Sequence, residues 1–299
     1  REQLDRADHD LLYFADATSG LLDHPKVTNL STIVNYQPDA VLSFGGQWID
    51  KKPKFHLRSL GIKTHVHVDP YQFWDVADAR ELVHVKAEAH LLEAKQLSQL
   101  SLVQPKQIQI SAQDLEWSDA LVAQTLFSHL GKNDSLHLAN STSVRYFDFF
   151  PIQTRVYSNR GIAGIDGSLS TAIGAALADT DSQHYCLIGD QSFFYDTNAL
   201  HRNTLPKNLV ICVLNNSIGG IFQWLPGVND APAKAKEVFL NSLDSRISGI
   251  CQAHGVAYQQ ILNKESLEEA LKTLDTGPLV LDCNTSAAWN SEIAGRLRG

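Results

Sequence analysis

Residues 188–220 read IGDQSFFYDTNALHRNTLPKNLVICVLNNSIGG. One apolar run ends in Gly189-Asp190, a helical stretch follows, and the next apolar run ends in Asn215-Asn216. In a right-handed strand-helix-strand unit both ends emerge on the same carboxyl edge of a parallel sheet, where α/β proteins bind ligands. There the Asp190 carboxylate, the Asn216 amide oxygen and a nearby backbone carbonyl form a hard-oxygen set suited to Mg2+. The ion's other positions go to water and diphosphate oxygens. The N–H groups opening the helix after Asp190 suit the same anion. Taken singly, Asp190 reads as a helix cap and Asn215-Asn216-Ser217 as a turn. Their pairing at two adjacent strand ends favours a ligand site.

Outward from this unit, short apolar runs alternate with helical patterns. Strand candidates lie at 135–140, 155–158, 184–189, 209–214, 257–262 and 278–283, and helical stretches at about 115–130, 168–179, 193–205, 243–254 and 265–275. Strands apolar throughout belong to a parallel sheet covered on both faces, which predicts one doubly wound α/β domain over 113–299. Upstream, 12–16, 40–44, 64–68 and 82–86 read as strands and 50–60 and 88–95 as helices. They predict a smaller, partial α/β domain over 1–95. The Gln- and Ser-rich stretch 96–112, with Pro105 and no clear period, reads as a linker.

Composition narrows the function. Of 299 residues, 43% are hydrophobic and 19% charged, and the net charge is −8. That balance describes a globular chain without a basic field for nucleic acid or anionic membrane. No apolar run approaches membrane-spanning length and the start is charged, so the expected location is cytoplasmic. Cys186, Cys212, Cys251 and Cys283 show no CxxC spacing, and three sit in strand-like runs, which predicts reduced core thiols. Methionine is absent, even at position 1, which with the abrupt start of the smaller domain gives the expectation of a fragment.

A second segment, SNRGIAGIDGSLSTAIGAALA at 158–178, places Gly161, Gly164 and Gly167 before a small-residue helix and allows close backbone approach to a ligand. The same glycines also suit an ordinary strand-to-helix turn. Together, SNRG, GIDG, YDTNAL (195–200), the Asn215-Asn216 pair and GGIF (219–222) resemble, in order, the 2-succinyl-5-enolpyruvyl-6-hydroxy-3-cyclohexene-1-carboxylate synthase family. That family lies within the thiamine-diphosphate superfamily. The match is strong over 150–227 and weaker elsewhere.

The resemblance implies a doubly wound diphosphate-binding domain preceded by a middle domain, with thiamine diphosphate and Mg2+ (or Mn2+) as cofactors. It implies Asp190, Asn216 and the carbonyl of Ile218 as metal ligands. Gly164, Ile165, Asp190, Gln191, Ser192 and Asn216 are the implied cofactor-binding residues. Gln191 stands where the motif usually has Gly. Ile165 is the stiff apolar wedge that bends the cofactor. The family's substrates, 2-oxoglutarate and isochorismate, carry carboxylates for which Arg and Lys are natural receptors. The implied substrate-binding set is Lys51, Lys52, Ser141, Arg145, Arg160, Ile221 and Phe222, with Lys52 in place of the usual Arg.

By the same resemblance, the glutamate that activates the cofactor belongs to a pyrimidine-binding domain. No segment here matches its motif, so the catalytic residue is unassigned and the chain alone is expected to be inactive. A homodimer or homotetramer is implied, with no nucleic-acid or membrane partner. Another thiamine-diphosphate enzyme acting on 2-oxo acids, of acetohydroxyacid synthase or decarboxylase type, and a non-catalytic cofactor-binding fragment remain alternatives. His65, His67 and Asp69 alternate as a metal site might, but with no third neutral ligand nearby they read as half-buried strand residues. Asp166 and Asp196 read as caps.

Overall fold

The computed structural model describes residues 12–15, 25–69, 72–85, 115–150, 152, 154–224, 228, 231–242, 246–274 and 277–298. The chain divides into two compact units, Arg1–Gln107 and Ile108–Gly299. The stretch read as a linker and the helix expected at 88–95 lie outside the described residues.

In the first unit β1 (Tyr13–Ala15) pairs in parallel with β2 (Val27–Asn29), and β3 (Ala40–Phe44), β4 (Thr64–Val68) and β5 (Glu81–Val85) form a parallel sheet in that order. Helix α1 (Lys52–Ser59) connects β3 to β4. Leu57, Ile62, Val76 and Ala77 fill the core between them. Strand β2 escapes sequence reading because its three residues, VTN, hold a single apolar side chain. The expectation of half-buried histidines needs correction. In THVHV it is His65 and His67 that point inward, 0% and 1% exposed, while Val66 is only half-buried. The Ser43 hydroxyl makes their inward placement tolerable, lying 2.7 Å from His65 Nε2 and 2.8 Å from His67 Nδ1.

The second unit is a six-stranded, wholly parallel sheet. Its order is β10 (Ala257–Ile261), β11 (Leu279–Asn284), β9 (Leu209–Asn215), β8 (His184–Gly189), β6 (Ser135–Leu138), β7 (Arg155–Tyr157). All seven residues of β9 are buried, as are five of the six in β8, because helices cover both faces. Helices α2 (Asp119–His129), α3 (Ser168–Ala178), α4 (Asp190–Tyr195), α5 (Ala233–Leu240), α6 (Ile247–His254), α7 (Lys264–Lys272) and α8 (Ala287–Arg298) complete the unit. Leu169, Ile173, Phe193, Ile211 and Val213 meet in the main core. All four cysteines are buried and free. Among the described residues no helix is long and apolar enough to cross a membrane.

The helix expected at 193–205 starts earlier and is shorter. It opens at Asp190, ends at Tyr195, and gives way to a 3-10 turn at Thr197–Leu200. The break falls at Asp196, whose backbone leaves helical values while its carboxylate is drawn to α3. There it accepts hydrogen bonds from the Ser170 N–H at 2.7 Å and the Ser170 hydroxyl at 2.5 Å. Asp196 therefore caps a helix, as its sequence context suggested, but a neighbouring one.

On β6, His137 is 5% exposed and lies between the Tyr157 ring, 5.3 Å away, and the His184 ring, also 5.3 Å away. Burial first, and the neighbouring His184 second, lower its pKa to about 4. The folded protein thus holds this ring neutral where an unfolded chain, at about 6.5, protonates it. Its contribution is complete above pH 6.5 and is lost as pH falls from 6.5 towards 4. In urea unfolding, wild type should lose up to about 3 kcal/mol more than His137→Phe between pH 7.5 and pH 4.5. Parallel pH profiles of the two proteins would count against this.

Candidate functional site

Because every strand of the second unit is parallel, the carboxyl ends of β6, β8, β9 and β11 share one edge. Gly189 pairs with Leu214 and Asn284 with Asn215. The residues that step off these strands, Asn140, Asp190, Asn216 and Thr285, therefore emerge on neighbouring strands. Two non-glycine residues just beyond strand ends, Ser141 (φ 75°) and Ser217 (φ 62°), adopt left-handed backbone, as does Ala163 (φ 61°) in the glycine segment. Such conformations concentrate where a loop is held against a ligand.

Asp190 is 2% exposed. Its Oδ1 accepts the Gln191 N–H and its Oδ2 the Ser217 N–H, each at 2.7 Å, which ties the two strand ends together. Burial nevertheless pushes its carboxyl up to about 7; the two N–H bonds oppose the rise, and the carboxylates of Asp119 and Asp282 add to it. Among the described residues no Lys, Arg or His pairs with Asp190. An ionised carboxylate buried this deeply calls for a cation. Asn216 stands beside it, 8% exposed, with its Oδ1 accepting the Ile218 N–H at 3.0 Å. Gly220 packs close by: a Cβ there would sit 3.3 Å from Asn216 Nδ2. Carboxylate, amide oxygen and loop carbonyl are all oxygen donors, and this set fits a small hard cation such as Mg2+. Among the described residues no group of three or more His, Cys, Asp or Glu is arranged to hold a metal, the His65-His67 strand included.

The glycine segment is held against the same edge. Asn140 Nδ2 donates to the carbonyls of Asn159 (2.8 Å) and Gly164 (2.6 Å), and Asn140 Oδ1 accepts from Arg160 Nη1 at 2.5 Å. The Ser192 hydroxyl on α4 donates to the Ile165 carbonyl. These bonds place Gly164, Ile165, Arg160 and Ser192 in one connected group with the end of β6. At Gly164 a Cβ would lie 2.7 Å from Asp166 Oδ1, so a larger residue there would make the Asp166 side chain swing aside. Gly167, at φ 74°, starts α3.

Arg145 donates to the Ser141 carbonyl, which keeps these two residues together beside β6. Ile221 and Phe222 lie on a 3-10 turn, Gly220–Trp224, and both are half-exposed. The Phe222 ring meets Phe239 of α5 at 5.6 Å. The Gly219 N–H donates to the Leu240 carbonyl at 2.6 Å, and Gln191 Nε2 reaches the carbonyls of Leu240 (3.3 Å) and Asn241 (3.1 Å). Gln191 thus strands together the start of α4 and the end of α5. Lys51 and Lys52 belong to the other unit, exposed at the start of α1, where the Lys52 N–H donates to Asp50 Oδ1.

Sequence reading missed Asp119, Thr285 and Asp282. Asp119 bonds Asn216 and Thr285 directly, and Asp282 accepts from Asn215 Nδ2 at 2.8 Å and from the Tyr258 hydroxyl at 2.9 Å. Burial raises the pKa of both acids. The available signal for Asp282 was an acid inside the apolar run LVLDCN.

Residues 139–283 match the family model "Thiamine pyrophosphate enzyme, C-terminal TPP binding domain". Among curated proteins, the 2-succinyl-5-enolpyruvyl-6-hydroxy-3-cyclohexene-1-carboxylate synthase of Desulfotalea psychrophila is 36% identical over 82% of this chain and 47% of its own length. The synthase of Phocaeicola vulgatus is 34% identical over 79% of this chain and 44% of its own. That of Christiangramia forsetii is 28% identical over 96% of this chain and 55% of its own. The chain spans about half the length of the curated relatives it matches.

Proposed function

Since residues 139–283 belong to the C-terminal domain family of thiamine pyrophosphate enzymes and the chain is a relative of the 2-succinyl-5-enolpyruvyl-6-hydroxy-3-cyclohexene-1-carboxylate synthases, we propose that it supplies the diphosphate-holding side of such an enzyme's active site. The reaction in this reading is the synthase's transfer in menaquinone biosynthesis: 2-oxoglutarate loses CO2 and its four-carbon remainder is joined to isochorismate. The observation that supports the reading is the buried Asp190 carboxylate, with no Lys, Arg or His paired to it among the described residues, beside the Asn216 amide.

Asp190, Asn216 and the Ile218 carbonyl would hold Mg2+ or Mn2+, and through it the diphosphate of thiamine diphosphate. When bound, that cofactor supplies the carbon nucleophile and the electron sink that decarboxylation of a 2-oxo acid requires. Gly164 would let the backbone approach the cofactor closely, Ile165 would give it a stiff apolar support, and Ser192 fixes the loop that carries Ile165. Arg145 and Arg160 receive substrate carboxylates, and Ile221 and Phe222 exclude water from the reacting end. Ser141, held to Arg145 beside β6, belongs to the same substrate set. A pyrimidine-binding domain, a homodimeric or homotetrameric assembly and a cytoplasmic location belong to the same reading.

Calorimetric titration of the chain with thiamine diphosphate should give saturable binding with Mg2+ and none with excess EDTA. Absence of binding even with a pyrimidine-binding domain added would overturn the proposal. With that domain present, consumption of pyruvate in preference to 2-oxoglutarate would shift the reading to an acetohydroxyacid synthase or decarboxylase.

A further inference from the structure

Asp119 lies outside every sequence motif, yet it is 1% exposed and is reached by side chains from three distant segments. Thr285, just beyond β11, donates its hydroxyl to Oδ1 at 2.5 Å, and Asn216 donates Nδ2 to Oδ2 at 2.7 Å. Asn290 of α8 braces the arrangement twice, accepting the Asp119 N–H on Oδ1 at 2.8 Å and donating Nδ2 to Thr285 Oγ1 at 3.1 Å. The capping of α2 falls to Ser118, whose hydroxyl accepts the Leu121 N–H. The Asp119 carboxylate is therefore turned to the strand ends rather than to its own helix.

An Asn amide has two ends of nearly equal size and opposite polarity, so its orientation is decided by its partners, here the Ile218 N–H at Oδ1 and the Asp119 carboxylate at Nδ2. Only the oxygen end can ligate a hard cation; the NH2 end repels one. A carboxylate accepting the Thr285 hydroxyl on one oxygen can only accept on the other, and the Asn216 NH2 meets that requirement. We propose that Asp119 is a positioning residue of the metal site, fixing the Asn216 amide so that Oδ1 rather than Nδ2 faces the cation. The inference rests on the reading of Asn216 as a Mg2+ ligand.

The test compares Asp119→Leu, which removes the acceptor, with Asp119→Asn, which keeps one oxygen for Asn216 and turns its NH2 to Thr285 Oγ1. In calorimetry at saturating thiamine diphosphate, the leucine variant should bind Mg2+ about 10–100-fold more weakly. The asparagine variant should stay within about 3-fold of wild type, since the acceptor is preserved. In Mg2+-free protein, the Asn216 side-chain amide protons should be protected from exchange in wild type and the asparagine variant and lose protection with leucine. If the leucine variant does not fold, Asp119→Ser, too short to reach Asn216, removes the same acceptor. Wild-type Mg2+ affinity in the leucine or serine variant would overturn the proposal. So would an asparagine variant as weak as leucine, because charge rather than orientation would then matter. Should wild type bind thiamine diphosphate without regard to Mg2+, the reading of the site falls, and the amide-exchange comparison still decides whether Asp119 fixes Asn216.

Discussion

Asp190→Ala is expected to abolish Mg2+-dependent binding of thiamine diphosphate, raising its Kd by at least about 100-fold, while leaving the fold intact. The size of the effect follows from the ion: Mg2+ takes few protein ligands in a strict octahedron, and a lost carboxylate is also a lost charge. The fold should survive because Asp190 lies just beyond the end of β8 and its two partners are backbone N–H groups, of Gln191 in the first turn of α4 and of Ser217 just beyond β9. Without a cation the ionised side chain is costly where it sits, since burial holds its carboxyl up at about 7. Removing it relieves that cost and offsets the two lost hydrogen bonds. Thermal unfolding with EDTA should therefore place the variant close to wild type, whereas Mg2+ with thiamine diphosphate should raise the midpoint of wild type only. An unchanged Kd in the alanine variant would remove Asp190 from the site.

The parallel sheet was legible because burial on both faces writes itself as unbroken apolar runs: HYCLIG, LVICVLN and LVLDCN were all recognisable as strands. The smaller unit was harder. In THVHV, alternation alone cannot say which face is the core, and polarity misleads when a serine on the next strand bonds one ring nitrogen of each of two inward histidines. The same limit hid Asp119. As the residue after Ser118 it looks like an ordinary first-turn acid, and nothing local marks partners 97 and 166 residues away. Asp190 and Asn216, by contrast, are bracketed by their own strands, so their convergence followed from topology. The helix after Asp190 was placed too late because residues up to Leu205 carry a helical pattern, and the pull of Ser170 on Asp196 is a tertiary effect.

Arg145→Ala and Arg160→Ala should each lower kcat/KM for a carboxylate substrate by about 10–1000-fold when assayed with a pyrimidine-binding domain present. That is the range for losing charge-assisted hydrogen bonds of about 1.5–3 kcal/mol or somewhat more. The two differ in what else they hold. Arg145 donates to the Ser141 carbonyl, a contact within one turn. Arg160 donates to Asn140 Oδ1, and Asn140 in turn grips the carbonyls of Asn159 and Gly164. Those last two bonds use Nδ2 and do not need the guanidinium, so the glycine segment should keep its place in Arg160→Ala. Thiamine diphosphate affinity should accordingly stay within about 3-fold of wild type in both variants, a change below roughly 0.7 kcal/mol. Arg160→Lys should recover little, because an ammonium cannot hold Asn140 and a carboxylate in the planar geometry of a guanidinium. If both alanine variants lost thiamine diphosphate and kept normal KM values, these arginines would be a clamp on the cofactor rather than on the substrate.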